Sequence, residues 1–146
     1  MKKHICLPLL IGLLLFATTS KSQAESYLGD FCWQMIENET PVWIYKLGVY
    51  EKEGTHYTLY GTGDDGHGNI AAAHGNAEAV GSNIMMTIVG SGFDETNGAW
   101  NETVTAILSV STLSGIWHNM GASFDSAGSP QVPYHTNGTM AVITCP

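Results

Sequence analysis

The feature that most constrains the fold is a pair of cysteines, Cys32 and Cys145, near the two ends of the chain that follows a short leader. Two cysteines in an exported domain usually form a disulfide. A bridge between them closes a loop of more than a hundred residues, to which the chain-entropy model assigns about 4.7 kcal/mol of stability. Because the Cα atoms of a disulfide lie within about 7 Å of each other, we expect the first and last strands to be neighbours. The pair therefore favours a sheet that closes on itself.

The leader has the composition of a secretory signal peptide. A positively charged start precedes an apolar run over residues 5–17, and small polar residues lead to Ala24. The apolar run is shorter than the roughly 20 residues that a membrane-spanning helix needs. We therefore predict a signal peptide at 1–24, one β-barrel domain at 25–146, and a periplasmic or secreted protein that does not associate with a membrane after cleavage.

The domain that follows the leader is strongly acidic. It keeps two lysines, Lys46 and Lys52, against all 13 acidic residues, so its formal charge is −11, and the sequence contains no arginine. Such a surface repels nucleic acid and anionic lipid and lacks the guanidinium fork that binds phosphate. Nucleic-acid partners are therefore excluded, and we interpret the charge as a means of staying soluble outside the cytoplasm.

Alternation of apolar and polar residues, with no sustained helical period, predicts an all-β domain. Clusters of glycine, threonine and asparagine separate the alternating stretches and predict long loops at 61–69, 90–98 and 121–133. The sequence predicts a single antiparallel up-and-down β-barrel of about eight strands. Its strands are expected at 31–36, 42–50, 56–61, 73–79, 84–89, 100–110, 115–120 and 135–145.

Large aromatic residues and one run of small residues fall on the predicted inward faces. The small face belongs to the fourth strand and carries Ala73, Gly75, Ala77 and Ala79. Small residues opposite large ones either interdigitate or leave a cavity, so a packed core and a ligand pocket both fit this pattern. The candidate ligand-binding residues are Trp33, Trp43, Tyr45, Tyr57, Trp100 and Trp117.

A glycine and a tryptophan lie close together in two of the predicted strands: Gly29 and Trp33 in the first, Gly115 and Trp117 in the seventh. With the eight-strand outline, these pairs resemble the lipocalins and the wider calycin group. The resemblance implies an up-and-down barrel that holds a small apolar ligand. The two-residue spacing of the lipocalin signature stands here in the seventh strand, and the basic residue that the family packs over its tryptophan has no counterpart.

Residues that could carry metal or catalytic chemistry do not form a recognisable site in the sequence. His67 and His74 are seven residues apart, which puts them on opposite faces of a continuous strand. The acidic stretch 64–69 lacks the ligand spacing of a calcium loop and indicates a turn. No serine or cysteine stands in a nucleophile motif with histidine and acid. We therefore predict no metal, no cofactor and no catalytic residue.

The sequence favours an exported, non-catalytic barrel that holds a small apolar or aromatic ligand in its lumen. One alternative is a structural or protein-interaction barrel with a filled lumen, whose outer surface or loop at 121–133 meets another protein. A second is a barrel isomerase or cyclase, which requires polar groups inside. Glu102 interrupts the apolar face of the sixth strand and is expected at a rim.

Overall fold

The computed structural model describes residues 24–95 and 98–146. All of the predicted signal peptide except Ala24 lies outside the described residues. Within them, no helix is long and apolar enough to cross a membrane. The domain consists of eight strands: β1 (Ser26–Glu37), β2 (Thr40–Glu53), β3 (His56–Asp64), β4 (Ile70–Val80), β5 (Asn83–Asp94), β6 (Gly98–Ser109), β7 (Gly115–Ser123) and β8 (Tyr134–Ile143).

The eight strands form a closed antiparallel barrel in which each strand pairs with its neighbours in sequence. The ring closes where Cys32 to Ile36 of β1 pair with Thr139 to Ile143 of β8. The Cys32–Cys145 disulfide stands beside this seam, with a Cα–Cα distance of 5.1 Å. The predicted fold and the predicted disulfide are both confirmed.

Period-two alternation places the core inside the ring. In β2, Tyr45, Leu47 and Val49 are buried, whereas Lys46 between them is exposed. The small face of β4 also points inward. At Gly75 the backbones of β4 and β5 approach so closely that an added Cβ would lie 2.1 Å from the Thr87 carbonyl oxygen. Only glycine permits this approach, which lets the sheet curve into a small ring.

Three predicted loops are shorter than expected, because the strands before them continue. β3 ends at Asp64, β5 at Asp94 and β7 at Ser123, so the predictions that these strands end near residues 61, 90 and 121 were wrong. Glycine was interpreted as a turn signal, but Gly63 and Gly92 lie inside strands with an aromatic ring against the face where a side chain would be.

The barrel has two unlike ends, which we name by their connections. The turn end carries short connections at 54–55, 81–82 and 110–114, together with the start of β1 and Cys145. The loop end carries the Asn38–Glu39 turn, segments 65–69 and 124–133, and the connection after Asp94. These two ends enclose different chemistry.

Candidate functional site

The turn end contains an apolar cavity of about 180 Å³. Ala77 pairs with Tyr57 of β3 and Met86 of β5, so a methyl group stands between two large side chains. This is the place where the small face of β4 leaves volume unfilled. The cavity is lined by Leu28, Phe31, Trp33, Val49, Tyr57, Leu59, Ala77, Ile84, Met86, Leu108 and Leu113.

The wall of the turn-end cavity is held in place by Trp33. This side chain is 5% exposed, and its indole N–H donates to the backbone carbonyl of Leu113 at 3.2 Å. Leu113 adopts φ +51° in the 110–114 connection, a conformation that costs a non-glycine residue energy and persists where contacts with the surroundings offset that cost. Phe31 stacks on Trp33 with ring centroids 5.7 Å apart. The indole therefore ties the connection to the cavity wall.

The half of the lumen nearer the loop end is polar and centres on Glu102. The Tyr45 hydroxyl donates to Glu102 Oε1, and the Asn119 amide donates to Glu102 Oε2 at 2.8 Å. Glu102 pairs with Gly90 of β5, where an added Cβ would lie 3.0 Å from Glu102 Oε1. The missing side chain of Gly90 therefore makes room for the carboxylate inside the ring.

Two tyrosines take their electrostatic character from this carboxylate. Burial raises the pKa of Tyr45 far above its ordinary value, and the charge and hydrogen bond of Glu102 raise it further. Burial, followed by the charge of Glu102, also raises the pKa of Tyr134. Both phenols therefore stay protonated throughout the physiological range.

Beyond this network, a mouth of about 260 Å³ opens at the loop end, lined by Trp43, Asn69, Asp94, Trp100, Ser123 and Tyr134. Each of its three aromatic rings lies against a glycine of the adjacent strand. A Cβ added to that glycine would come within 2.1 Å of the ring of Trp43, or 2.2 Å of the rings of Trp100 and Tyr134. The glycines are Gly63, Gly92 and Gly121, respectively.

Two connections at the loop end fold around an aspartate in the same way. Asp65 accepts hydrogen bonds from the backbone N–H groups of His67 (2.7 Å) and Asn69 (3.1 Å). Asp125 accepts from those of Ala127 (3.0 Å) and Ser129 (2.8 Å). Burial acts to raise the pKa of Asp65, but the hydrogen bonds outweigh it and the pKa is lowered. The acidic stretch that resembles a calcium loop uses its carboxylates to hold its own backbone.

The six predicted ligand-binding aromatics do not share one cavity. Trp33 and Tyr57 line the turn-end cavity, whereas Trp43 and Trp100 line the loop-end mouth. Tyr45 and Trp117 are fully buried between them. The indole N–H of Trp117 donates to the Thr139 carbonyl at 2.8 Å, so this ring braces β7 against β8.

Sequence reasoning missed the polar centre. The prediction that Glu102 stands at a rim was wrong: its carboxylate lies inside the ring, bonded to the fully buried Tyr45. Asn119, only 7% exposed, and Tyr134 were not singled out. The sequence did contain one signal for this polar centre. Glu102 shares the inward-facing alternation of Trp100 and Val104 on a strand whose alternation is otherwise clear.

The side chains that could bind a metal ion are scattered over the described part of the chain. Across 24–95 and 98–146, no three side chains of histidine, cysteine, aspartate or glutamate are grouped so as to hold a metal ion. The histidines of this part of the chain are all exposed: His56, His67, His74, His118 and His135.

Comparisons with known protein families, with curated proteins and with solved structures found no match to this chain. The barrel agrees with the architecture that the lipocalin resemblance implies. The resemblance itself stays a prediction.

Proposed function

We propose that the protein binds a small apolar or aromatic molecule in the turn-end cavity without transforming it. The observation that carries this proposal is a cavity of about 180 Å³ lined by apolar side chains. Apolar ligands gain free energy from leaving water in proportion to the surface they bury, and a cavity built by a small-residue face needs no rearrangement to receive them.

The dimensions of the cavity indicate the size class of the ligand. A cavity of about 150 Å³ lined by leucine, isoleucine and phenylalanine stays dry and binds benzene. The turn-end cavity is slightly larger and has aromatic walls at Phe31, Trp33 and Tyr57. A single aromatic ring with one or two small substituents is therefore the class that fits.

The test uses fluorobenzene as the probe, with binding followed by ¹⁹F NMR and by quenching of tryptophan fluorescence. We expect saturable binding to the unmodified protein and its loss in Ala77→Leu, which fills the space between Tyr57 and Met86. Ala72→Leu is the matched control, because Ala72 lies on the exposed face of the same strand. Equal binding by the two variants, or no saturable binding to the unmodified protein, would refute the proposal.

We propose further that the protein acts outside the cytoplasm. The Cys32–Cys145 disulfide supports this, since such bridges persist in oxidising compartments. Expression of the full chain in a bacterium, followed by mass spectrometry of the periplasmic and culture fractions, should find a form that begins at Glu25. Recovery of full-length, reduced protein from the cytoplasm alone would contradict this localisation.

A second candidate function, protein interaction, is favoured by one observation on the outer surface. Met85, Ile107 and Ile116 pair across β5, β6 and β7 and are 55%, 48% and 52% exposed. They border an outer groove of about 770 Å³. If this face binds a protein, Ile107→Glu should abolish a complex recovered from the native host and leave fluorobenzene binding intact; an unchanged complex would remove this candidate.

A further inference from the structure

The loop-end mouth is a second region with the features of a binding site, and it differs in chemistry from the turn-end cavity. Its three aromatic rings are positioned by contact with glycines of the neighbouring strands. Trp43 and Trp100 come from opposite sides of the ring of strands, on β2 and β6. Aromatic side chains that surround an opening of about 260 Å³ can present their electron-rich faces to a ligand.

The charge around the mouth has one sign. The carboxylates at or near the loop end of the described chain are Glu37, Glu39, Asp64, Asp65, Asp94, Glu95 and Asp125, with Glu102 inside. Of the two lysines described, Lys52 belongs to the turn end, and Lys46 points outward from the middle of β2. A concave opening ringed by one sign of charge concentrates ligands of the opposite sign.

The interior beneath the mouth has acceptors to spare. A carboxylate has about four acceptor positions, and Glu102 receives one hydrogen bond on each oxygen from Tyr45 and Asn119. The other amide atom of Asn119, Oδ1, is buried and has no hydrogen-bond partner among residues 24–95 and 98–146. Asn119 as a whole is 7% exposed. Unpaired buried acceptors are costly, and a ligand that brings donors to Glu102 would use the acceptor positions that Tyr45 and Asn119 leave open on the carboxylate.

A protonated amine matches these three observations together. An ammonium group has up to three N–H donors and no acceptor, is attracted to aromatic faces, and neutralises a carboxylate. We propose that the loop-end mouth binds a small organic amine, with its ammonium group directed toward Glu102 and its carbon skeleton between Trp43, Trp100 and Tyr134.

The experiment compares cyclohexylammonium with cyclohexanol, which has nearly the same shape without the charge, by isothermal titration calorimetry at low ionic strength. We expect saturable binding of the amine at least tenfold tighter than of the alcohol, weakening as salt is added. Equal affinities, or no saturable binding of the amine, would overturn the proposal. Glucose is the third probe; tighter binding of this neutral polyol would assign the mouth to sugars instead.

Matched variants test whether the amine binds at the loop-end mouth. Glu102→Gln keeps the size of the side chain, removes its charge and replaces one accepting oxygen with an NH₂ donor, and we expect at least a tenfold loss of amine affinity. Glu78→Gln removes the same charge from the exposed face of β4 and should change the affinity less than twofold. Trp100→Leu, at the mouth, should also weaken binding at least tenfold. A Glu102→Gln variant that binds as tightly as Glu78→Gln would overturn the assignment.

This proposal stands apart from the turn-end cavity, and the two can fail separately. Ala77→Leu fills the turn-end cavity and should leave cyclohexylammonium binding unchanged. Glu102→Gln should likewise leave fluorobenzene binding unchanged. Loss of amine binding in Ala77→Leu would move the amine to the turn end and overturn the loop-end site.

Discussion

The two ends of the barrel share one backbone frame but enclose opposite chemistry. Around the turn end, inward positions carry Trp33, Leu59, Met86 and Leu108, and a cavity remains where Ala77 is too small to fill it. Around the loop end, inward positions carry a carboxylate, glycines, and aromatic rings that pack against those glycines. The polar part of the interior therefore comes from particular strands, with Tyr45 from β2, Glu102 from β6 and Asn119 from β7. The fold sets which side chains point into the lumen, and the identity of those side chains sets what each end can bind.

The connections differ in the same sense as the interiors. At the turn end, β2 and β3 are joined through Gly54 and Thr55, and β4 and β5 through Gly81 and Ser82. At the loop end, two longer segments are each held by an aspartate that accepts backbone hydrogen bonds. Longer connections around a polar opening are the common location of binding groups on a rigid frame.

The largest expected effect comes from the disulfide, whose Cys145 lies at the turn end, and its removal tests how far closure of the ring depends on that covalent link. Replacing both cysteines with alanine should lower the free energy of unfolding by about 4.7 kcal/mol, because the unfolded chain regains the entropy of a loop of 113 residues. Urea denaturation of the double variant and the oxidised protein measures this. A loss below about 1 kcal/mol would mean that strand pairing alone closes the ring.

The next largest effect is a pH-dependent loss of stability that we expect from the polar half of the lumen and not from the apolar half. At neutral pH, Tyr45→Phe should cost about 1.5–3 kcal/mol by removing a hydrogen bond to a carboxylate. Because the pKa of Tyr45 is raised in the folded protein, its contribution is present below pH 10 and is lost as the pH rises above it, at about 1.4 kcal/mol per pH unit.

Urea denaturation at pH 8 and pH 11 should therefore show the unmodified protein losing more stability than Tyr45→Phe. Leu59→Val, which lies on the inward face lining the turn-end cavity, serves as the control and should lose as much between the two pH values as the unmodified protein does. Parallel loss in Tyr45→Phe would indicate that Tyr45 ionises freely in the folded state.

Adding a larger side chain at each end should change the free energy of unfolding in opposite directions. Ala77→Leu places its extra carbons in the turn-end cavity and should raise the free energy of unfolding by about 1 kcal/mol. Gly92→Ala puts a Cβ 2.2 Å from the Trp100 ring, so the ring must move, at a cost of about 1 kcal/mol or more. Thermal or urea denaturation measures both. The same sign for both variants would show that the two ends are filled alike.

The smallest effect concerns the loops and the acid side of the pH range. The lowered pKa of Asp65 means that its carboxylate stabilises segment 65–69 above pH 3.8 and ceases to do so as the pH falls through the folded value. Below that value, the amides of His67 and Asn69 should lose protection from hydrogen exchange. The Ala79 amide at the turn end, which donates to the Thr55 carbonyl, should keep its protection from hydrogen exchange at the same pH. Asp65→Asn should reproduce the acid behaviour at pH 7, at a cost below about 1 kcal/mol in global stability.

The prediction of the fold succeeded because alternation of side chains is a local property. In β2, one face carries Trp43, Tyr45, Leu47 and Val49, whatever strand β2 pairs with. The sequence of this strand is therefore enough to predict that these side chains point inward. The closure of the sheet into a ring was predicted from the expected disulfide between the cysteines near the two ends of the domain. The strand ends were predicted less well, because glycines such as Gly92 were interpreted without their partners: a ring from the next strand occupies the missing side chain's place.

The candidate site was predicted in part. The alternation put Trp33 and Ala77 inside, and the two do line one cavity. Placing all six aromatics around one lumen required knowing their height along the barrel axis, which depends on strand register. Register set Trp43 at one end and Tyr57 at the other, with Tyr45 buried between.

By itself, the sequence determined the all-β class, the inward faces, the acidic surface and the pairing of Cys32 with Cys145. Only the tertiary structure decided that Tyr45 and Glu102, 57 residues apart, share a hydrogen bond, and that Asn119 joins them. The reason is that a side chain's direction follows from its own strand. Its partners follow from how eight strands are offset around a ring, and that offset is set collectively by turns, bulges and close glycine contacts.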